Sequence, residues 1–510
     1  MPNIEGLFPI SSQAGVKRDG TTFESNYYSD SLWCRFQRGR PRKIGGYREV
    51  VDSFSGPVRG CHSDALNGYN YVYGGSSDVL EMITMDNTGA GSGITDRTPG
   101  SFATSTDNIW QFDTLYDASG TVRNVIAHAG QNLNDITSSV QTPVYYGDAN
   151  GTSALTSIGT SVSGGIVSLF PYLLGLDNDG YVLWTPPNTM AFSGTGSGNA
   201  RIAPNKLIKG VRTRGGSGYS PSGLIWSLDE LYRAYFTGGS TIFGFDYIGD
   251  TALLSTSSVV EYNGRQFWPD LNGFKTYNGV IEDLPNDINV NYFYDNLNKQ
   301  QRQKVWGIKI PRYNEIWWFW PKGSATECTD VIIFNIKEKT WYDTTWAVDQ
   351  LARSCGIYSK AFDYPLMFGL DPDSGDKYKL WQHEFGVDRV ENGMTAAIRS
   401  YFETSNISYC ASPGGAGSGW VGEDRWVELM RVEPDFVQVG EMSLTVKGKK
   451  YAQDSETIES GPYSFSPTTG KIDVKEQRRQ MTLLFESNTQ GGDYQLGQTL
   501  LHLILGDGRQ

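Results

Sequence analysis

Glu315-Ile316-Trp317-Trp318-Phe319-Trp320, then Val331-Ile332-Ile333-Phe334-Asn335, then Thr340-Trp341-Tyr342 is the stretch that decides the fold. Each run is too short for a helix. Each is rich in the aromatic and β-branched side chains that fit a pleated, buried surface, and the gaps between runs are turn-sized. The same texture extends in both directions. It recurs in Tyr69-Asn70-Tyr71-Val72-Tyr73-Gly74-Gly75, and in Tyr172-Leu173-Leu174-Gly175-Leu176 before Tyr181-Val182-Leu183-Trp184. It returns in Arg265-Gln266-Phe267-Trp268 ahead of Gly273-Phe274-Lys275-Thr276-Tyr277-Asn278-Gly279, and in Pro365-Leu366-Met367-Phe368-Gly369-Leu370 with Lys379-Leu380-Trp381. No strict period is visible, so this is a diverged repeat. Short strands at regular spacing indicate a sandwich, a barrel or a propeller. The length of the segment, residues 51–390, favours a β-propeller-like domain. At ~40–50 residues per four-stranded blade it holds roughly six to eight blades. The Gly/Ser/Thr-rich segments 147–165 and 193–200 read as inserted loops.

The flanks differ. Residues 391–510 carry fewer, longer alternating strands: Ala396 to Thr404, Arg425 to Val432, Met442 to Val446, Met481 to Glu486 and Leu500 to Leu505. They read as a C-terminal β-sandwich domain, linked at Asn392-Gly393, with Ser408 to Gly419 as a mobile hairpin tip. Residues 1–50 read as an N-terminal arm or docking segment. The fold class is therefore all-β. The only helical candidates are Tyr292 to Trp306 and Gly223 to Ala234.

Composition agrees. Glycine contributes 60 residues and aromatics 13%, the balance of many strands and tight turns. The net charge of −13 argues against a binder that neutralises phosphates. The N-terminus lacks a signal peptide, and the most apolar run, Ile166 to Leu176, is interrupted by Pro171 and far short of a membrane span, so no stable membrane insertion is expected. The five cysteines, Cys34, Cys61, Cys328, Cys355 and Cys410, are odd in number and without a C-x-x-C, which reads as reduced thiols rather than a disulfide framework or zinc site.

Chemistry is not legible. The four histidines, His62, His128, His383 and His502, form no metal-ligand pattern, and no nucleophile elbow or phosphate loop exists; Gly215 to Gly218 lacks the lysine a phosphate loop requires. Asp177-Asn178-Asp179-Gly180 begins like a calcium loop, but Asn188 stands where the bidentate acid belongs, so it reads as a hairpin turn. Asp371 to Asp376 with Trp381 partly matches the Asp-box turn of sialidase-like propellers, with Tyr378 in place of glycine. No catalytic residue, metal or cofactor is expected. Two candidate sites remain. Arg35, Arg38, Arg40, Arg42 and Lys43 form a basic cluster that reads as a solvated loop, an arm docking on an acidic neighbouring subunit, or a DNA contact; the acidic chain disfavours the last. Trp317, Trp318 and Trp320 read either as interface anchors or as blade core.

Three segments together carry a resemblance. Leu32-Trp33-Cys34-Arg35-Phe36 through Arg40-Pro41-Arg42-Lys43-Ile44-Gly45-Gly46-Tyr47 resembles the opening of the tail nozzle or hub (tail tubular) proteins of short-tailed bacteriophages. Arg265 to Trp268 with Gly273 to Gly279 is similar to a blade of those proteins. Gln477-Arg478-Arg479, Leu484 to Asn488, Gly492 to Gly497 and Gly506 to Arg509 are similar to their C-terminal domain. The resemblance implies a virion tail component, assembled in the host cytoplasm. It implies a homo-oligomeric ring, a hexamer, around the DNA channel below the portal. Its implied partners are portal or adaptor proteins above, fibres or tip proteins below, and double-stranded DNA passing non-specifically during retention and ejection. It transfers no catalytic residue. An acidic wall would let DNA slide with few bound states, and segments 147–165 and 193–200 are candidates for a gate. The alternative is a receptor- or glycan-binding propeller at the host-facing end; a glycoside hydrolase would need two convergent carboxylates.

Overall fold

The computed structural model describes residues 5–21, 25–214, 221–239, 241–346, 352–359, 361–371, 377–408, 426–451, 453–454 and 457–505. Six four-stranded antiparallel sheets follow one another, each built from strands consecutive in the chain. Blade 1 runs from Cys61–Leu66 to Thr95–Asp96, blade 2 from Asn108–Tyr116 to Thr156–Val162, and blade 3 from Gly165–Leu169 to Gly198–Arg201. Blade 4 runs from Leu207–Arg212 to Phe243–Asp250, blade 5 from Val260–Tyr262 to Ile281–Leu284, and blade 6 from Trp306–Ile310 to Thr340–Thr345. Blade 7 takes three strands from the C-terminal side, Cys355–Ser359, Tyr364–Asp371 and Lys377–His383. Its fourth is Tyr47–Phe54, from the N-terminal side. The first strand of blade 7 packs against the first strand of blade 1, which closes the ring. The propeller therefore has seven blades, within the expected range.

Local sequence explains the blades. Asn67-Gly68 and Asn263-Gly264 turn the first strand into the second in blades 1 and 5, with φ of 53° and 82°, and of 50° and 85°. Both residues of such a hairpin turn need positive φ, which Asn and Gly supply at least cost. Side chains alternate across each strand, so each blade buries both faces. Ile316, Trp318 and Trp320 join the core shared with blade 5, while Trp317 and Phe319 join the core shared with blade 7. The apolar clusters follow the seams. One lies between blades 7 and 1, one between 1 and 2, and so on around the ring; the largest continues from blades 6 and 7 into the second domain. Trp226 and Trp268, 5.4 Å apart, bridge blades 4 and 5. Fully burying one such aromatic stabilises by about 2–3 kcal/mol.

The second domain is a β-sandwich built from both chain ends. One sheet orders Glu5–Pro9, Leu500–Leu505, Val427–Glu433 and Ile472–Arg478. Another orders Asp30–Leu32, Ser400–Glu403, Gln480–Ser487, Met442–Lys449 and Ile458–Phe465. A third joins Phe436–Val439, Asp493–Leu496, Arg40–Lys43 and Cys34–Gln37. Residues 1–50 are thus not a free arm: their strands complete all three sheets and lead into the closing strand of blade 7. The physical reason is that unpaired backbone groups at a buried strand are costly, and Trp33, Cys34 and Phe36 are buried in the shared core.

Other expectations need correction. Gly223 to Ala234 is a hairpin, Ser222–Ser227 and Glu230–Phe236, because Ser227 and Asp229 form the turn and successive apolar side chains enter opposite cores, Leu224 and Trp226 one and Ile225 the other. Tyr292 to Trp306 is helical only in part, with an α-helix at Val290–Asn296 and a 3-10 helix at Lys299–Lys304. Segment 147–165 is not one loop, since it contains the outer strand Thr156–Val162, and Gly198–Arg201 likewise occupies part of 193–200. Asn392-Gly393 is the turn of a hairpin, Arg389–Glu391 with Met394–Ala396, on the edge of the blade 7 sheet. Residues 409–425, which cover nearly all of the expected hairpin tip, and residues 372–376 of the Asp-box segment lie outside the described residues, as do 215–218 and 506–509.

Candidate functional site

The basic cluster does not form a surface patch. Arg35 lies on the strand Cys34–Gln37 and is fully buried. Its Nε is 3.0 Å from Glu315 Oε1 of blade 6, and its terminal nitrogens reach both oxygens of Glu384, just beyond blade 7, at 3.0 and 2.5 Å. The guanidinium also stacks 3.5 Å from the ring centroid of Tyr313. Glu315 accepts further hydrogen bonds from Trp317 Nε1 at 2.8 Å and the Tyr342 hydroxyl at 2.6 Å. Burial pushes the Glu315 carboxyl above its ordinary range and the Glu384 charge adds to this, while Arg35 opposes both. Arg35 is thus a clamp between the sandwich and two blades.

The other members disperse. Lys43 is buried and donates from Nζ to Gly492 O at 2.8 Å, and burial lowers its pKa. Arg42 donates to Gln37 Oε1 and lies 5.8 Å from the Tyr313 ring. Arg38 takes positive φ in the turn before Arg40–Lys43, where its backbone N–H donates to Glu338. Arg40 opens that strand, half-buried. The carboxylates that Arg35 meets are buried and belong to its own chain, and Arg38 is exposed. Trp317, Trp318 and Trp320 are at most 1% exposed. They are blade core, with Trp318 Nε1 donating to Ser258 O at 2.9 Å, and are not interface anchors.

A second constellation follows the innermost strands. Asp113 of blade 2 accepts the backbone N–H of Ser168 of blade 3 at 2.7 Å and pairs with Arg212 of blade 4. Glu261 of blade 5 pairs with Lys309 of blade 6 at 2.8 Å and with Arg214, beyond the first strand of blade 4, at 3.2 Å. Arg123 Nε lies 2.8 Å from Asp64 Oδ2, tying blades 2 and 1. Burial lowers the Lys209 pKa to about 8, with Asp113 opposing. Burial, assisted by Arg123 and Arg212, lowers that of His62 to about 3. These pairs tie neighbouring blades together, and Asp113 with Arg212 reaches from blade 2 past blade 3 to blade 4. Asp177 opens the turn between Tyr172–Leu176 and Tyr181–Trp184, its backbone N–H donating to Tyr181 O at 2.9 Å as the turn reading expects, while its carboxylate accepts from Ser163 and from Gln141 Nε2.

The sandwich carries a cleft of about 330 Å³ lined by Arg18, Asp30, Glu403 and Lys447 among others. Four of its charges are paired: Arg18 with Asp30 at 2.7 Å and with Asp343 of blade 6 at 2.9 Å, and Lys447 with Glu403 at 2.8 Å. No group of three or more His, Cys, Asp or Glu able to hold a metal ion occurs among the described residues. No helix among them is long and apolar enough to cross a membrane.

Sequence reasoning missed the partners. Glu315 and Glu384 stand 280 and 349 residues from Arg35, and nothing local marks them. The one available signal was Glu315 itself, a charge opening an otherwise apolar strand.

No family model and no curated protein matches the chain. Among solved structures, the exo-β-1,3-galactanase of Phanerochaete chrysosporium with galactose aligns at 8% identity and a TM-score of 0.30, over 91% of this chain and 99% of the other. BamB from Moraxella catarrhalis aligns at 10% identity and 0.32, over 70% and 95%. The computationally designed Ika8 protein aligns at 10% identity and 0.35, over 73% and 100%.

Proposed function

We propose that the chain is a structural building block of a short bacteriophage tail, a nozzle or hub subunit that forms a ring around the DNA channel below the portal. The observation that carries the reading is the mutual closure of the two domains. The N-terminal segment completes the last blade and three sandwich sheets, and Arg35 clamps the sandwich to blades 6 and 7. Such a body resists deformation, as a pressurised wall must. The surface supports it too. Among the described residues burial removes six bases, such as Arg97 and Arg353, and seven acids, such as Asp64 and Asp330, so the exposed surface keeps the acidic excess that repels phosphate. The test is electron microscopy and native mass spectrometry of the purified chain and of the particle. A closed hexameric ring below the portal, with a lumen passing duplex DNA, supports the reading. A chain that stays monomeric and is absent from the particle overturns it.

A second reading has its own observation. Tyr69, Tyr116 and Phe170 are exposed and lie at the turns joining first to second strands of blades 1, 2 and 3. Corresponding turns of successive blades share one face, so the three rings form an aromatic arc suited to stacking on sugar rings. Glycan-array binding lost in Tyr69→Ala and Phe170→Ala variants would favour this host-facing role; an empty array removes it.

A further inference from the structure

Two thiols meet where the propeller closes. Cys61 opens the innermost strand of blade 1, opposite Gly74, and Cys355 opens the innermost strand of blade 7, opposite Phe368. These strands pack side by side across the closing seam, close enough for the Cys355 thiol to raise the Cys61 pKa. They share an apolar cluster with Phe54, Val58, Val72 and Phe368. The same seam carries Asn70 Nδ2 donating to Ser359 Oγ at 3.2 Å. Elsewhere the thiols have other company: Cys34 lies against Tyr494, and Cys328 donates to Lys304 O at 3.2 Å.

We propose that Cys61 and Cys355 form an oxidation site, which a small-molecule disulfide converts into a cystine that locks the seam. Cys61 is the more exposed of the two; Cys355 is 6% exposed. The Cys61 thiolate attacks one sulfur of the oxidant, forming a mixed disulfide and expelling one thiolate. Cys355 then loses its proton to solvent and attacks the Cys61 sulfur, expelling the second. Two protein thiols are oxidised, the oxidant's S–S bond is reduced by two electrons, and the products are one cystine and two small thiols. The Cys355 contact and burial hold the Cys61 proton well above the ordinary thiol range, so thiolate is scarce at neutral pH and the reaction is slow there. The site stands on the fold alone. A particle assembled in reducing cytoplasm and then released would acquire the lock outside the cell.

The test incubates the full folded chain with oxidised glutathione at pH 7.5 and pH 9, against a dithiothreitol control, followed by peptide mapping under non-reducing conditions. The expected product links the peptide containing Cys61 to that containing Cys355, forms several-fold faster at pH 9, and raises Tm by about 5 °C. Cys355→Ser should stop at a glutathione adduct on Cys61. Links among other cysteines, stable glutathione adducts on both residues of the wild type, or reaction only in urea would each overturn the proposal.

Discussion

Arg35→Met is the most informative single change. It keeps the length of the side chain and removes the cation from between two carboxylates. Arg35 and Glu315 are both 0% exposed, and Glu384 is nearly so at 7%. Breaking a buried pair by removing one partner costs about 3–5 kcal/mol, because the other charge remains buried and uncompensated. Unfolding entropy of about 2.1 cal/mol/K per residue over 510 residues converts this into a Tm loss of about 3–5 °C for cooperative unfolding. The loss should also depend on pH. Without Arg35, the largest opposition to the burial that raises Glu315 is gone, and the Tyr342 and Trp317 hydrogen bonds remain. A carboxyl with a raised folded-state pKa costs nothing below its unfolded value, where both states are protonated. It costs up to ~1.4 kcal/mol per pH unit above that value until the folded group ionises. The deficit of Arg35→Met should therefore be smaller at pH 5 than at pH 8. Adding Glu315→Gln should recover part of it. Urea titrations of the wild type, Arg35→Met and the Arg35→Met/Glu315→Gln double variant at both pH values measure this. A deficit under about 1 kcal/mol, or one equal at both pH values, would refute the clamp.

Other consequences follow from the same packing. Trp318→Ala should destabilise by about 3–5 kcal/mol in thermal melts through the cavity it leaves between blades 5 and 6, and native mass spectrometry should show unchanged subunit stoichiometry, since Trp318 is core rather than interface. Deleting residues 1–54 removes the closing strand Tyr47–Phe54 and strands of three sandwich sheets. The product should fail to give a monodisperse species in size-exclusion chromatography, whereas a removable arm would leave one. His128, lowered to about 4 by burial and accepted by Val162 O at 3.0 Å, contributes stability that is complete above pH ~6.5 and declines as pH falls towards 4. His128→Gln should flatten that decline in urea midpoints measured between pH 7 and pH 5.

Strand texture made much of the fold legible. The runs around Trp317, Val331 and Trp341 became neighbouring strands of one blade, and Asn-Gly pairs became hairpin turns. Strand pairing by consecutive segments is local, so residue alternation and turn chemistry reveal it. The sandwich strands at Val427, Met442, Met481 and Leu500 were legible for the same reason. The hairpin at Ser222–Phe236 was misjudged because the apolar residues Leu224, Leu228, Leu231 and Ala234 fall at helical spacing. The candidate site was legible only as composition. The sequence displays five cations within nine residues, yet cannot state which of them are solvated.

Amino-acid order by itself determined the strand content, the turns, and the division into a repeated region and an alternating C-terminal region. Tertiary structure decided where the chain ends go. Closure of the ring by Tyr47–Phe54, the Arg35 clamp on Glu315 and Glu384, and the meeting of Cys61 with Cys355 join residues hundreds of positions apart. Such contacts leave no local periodicity. They are selected by the need to pair the open edges of the last blade and the sandwich, and to compensate charges that folding removes from water.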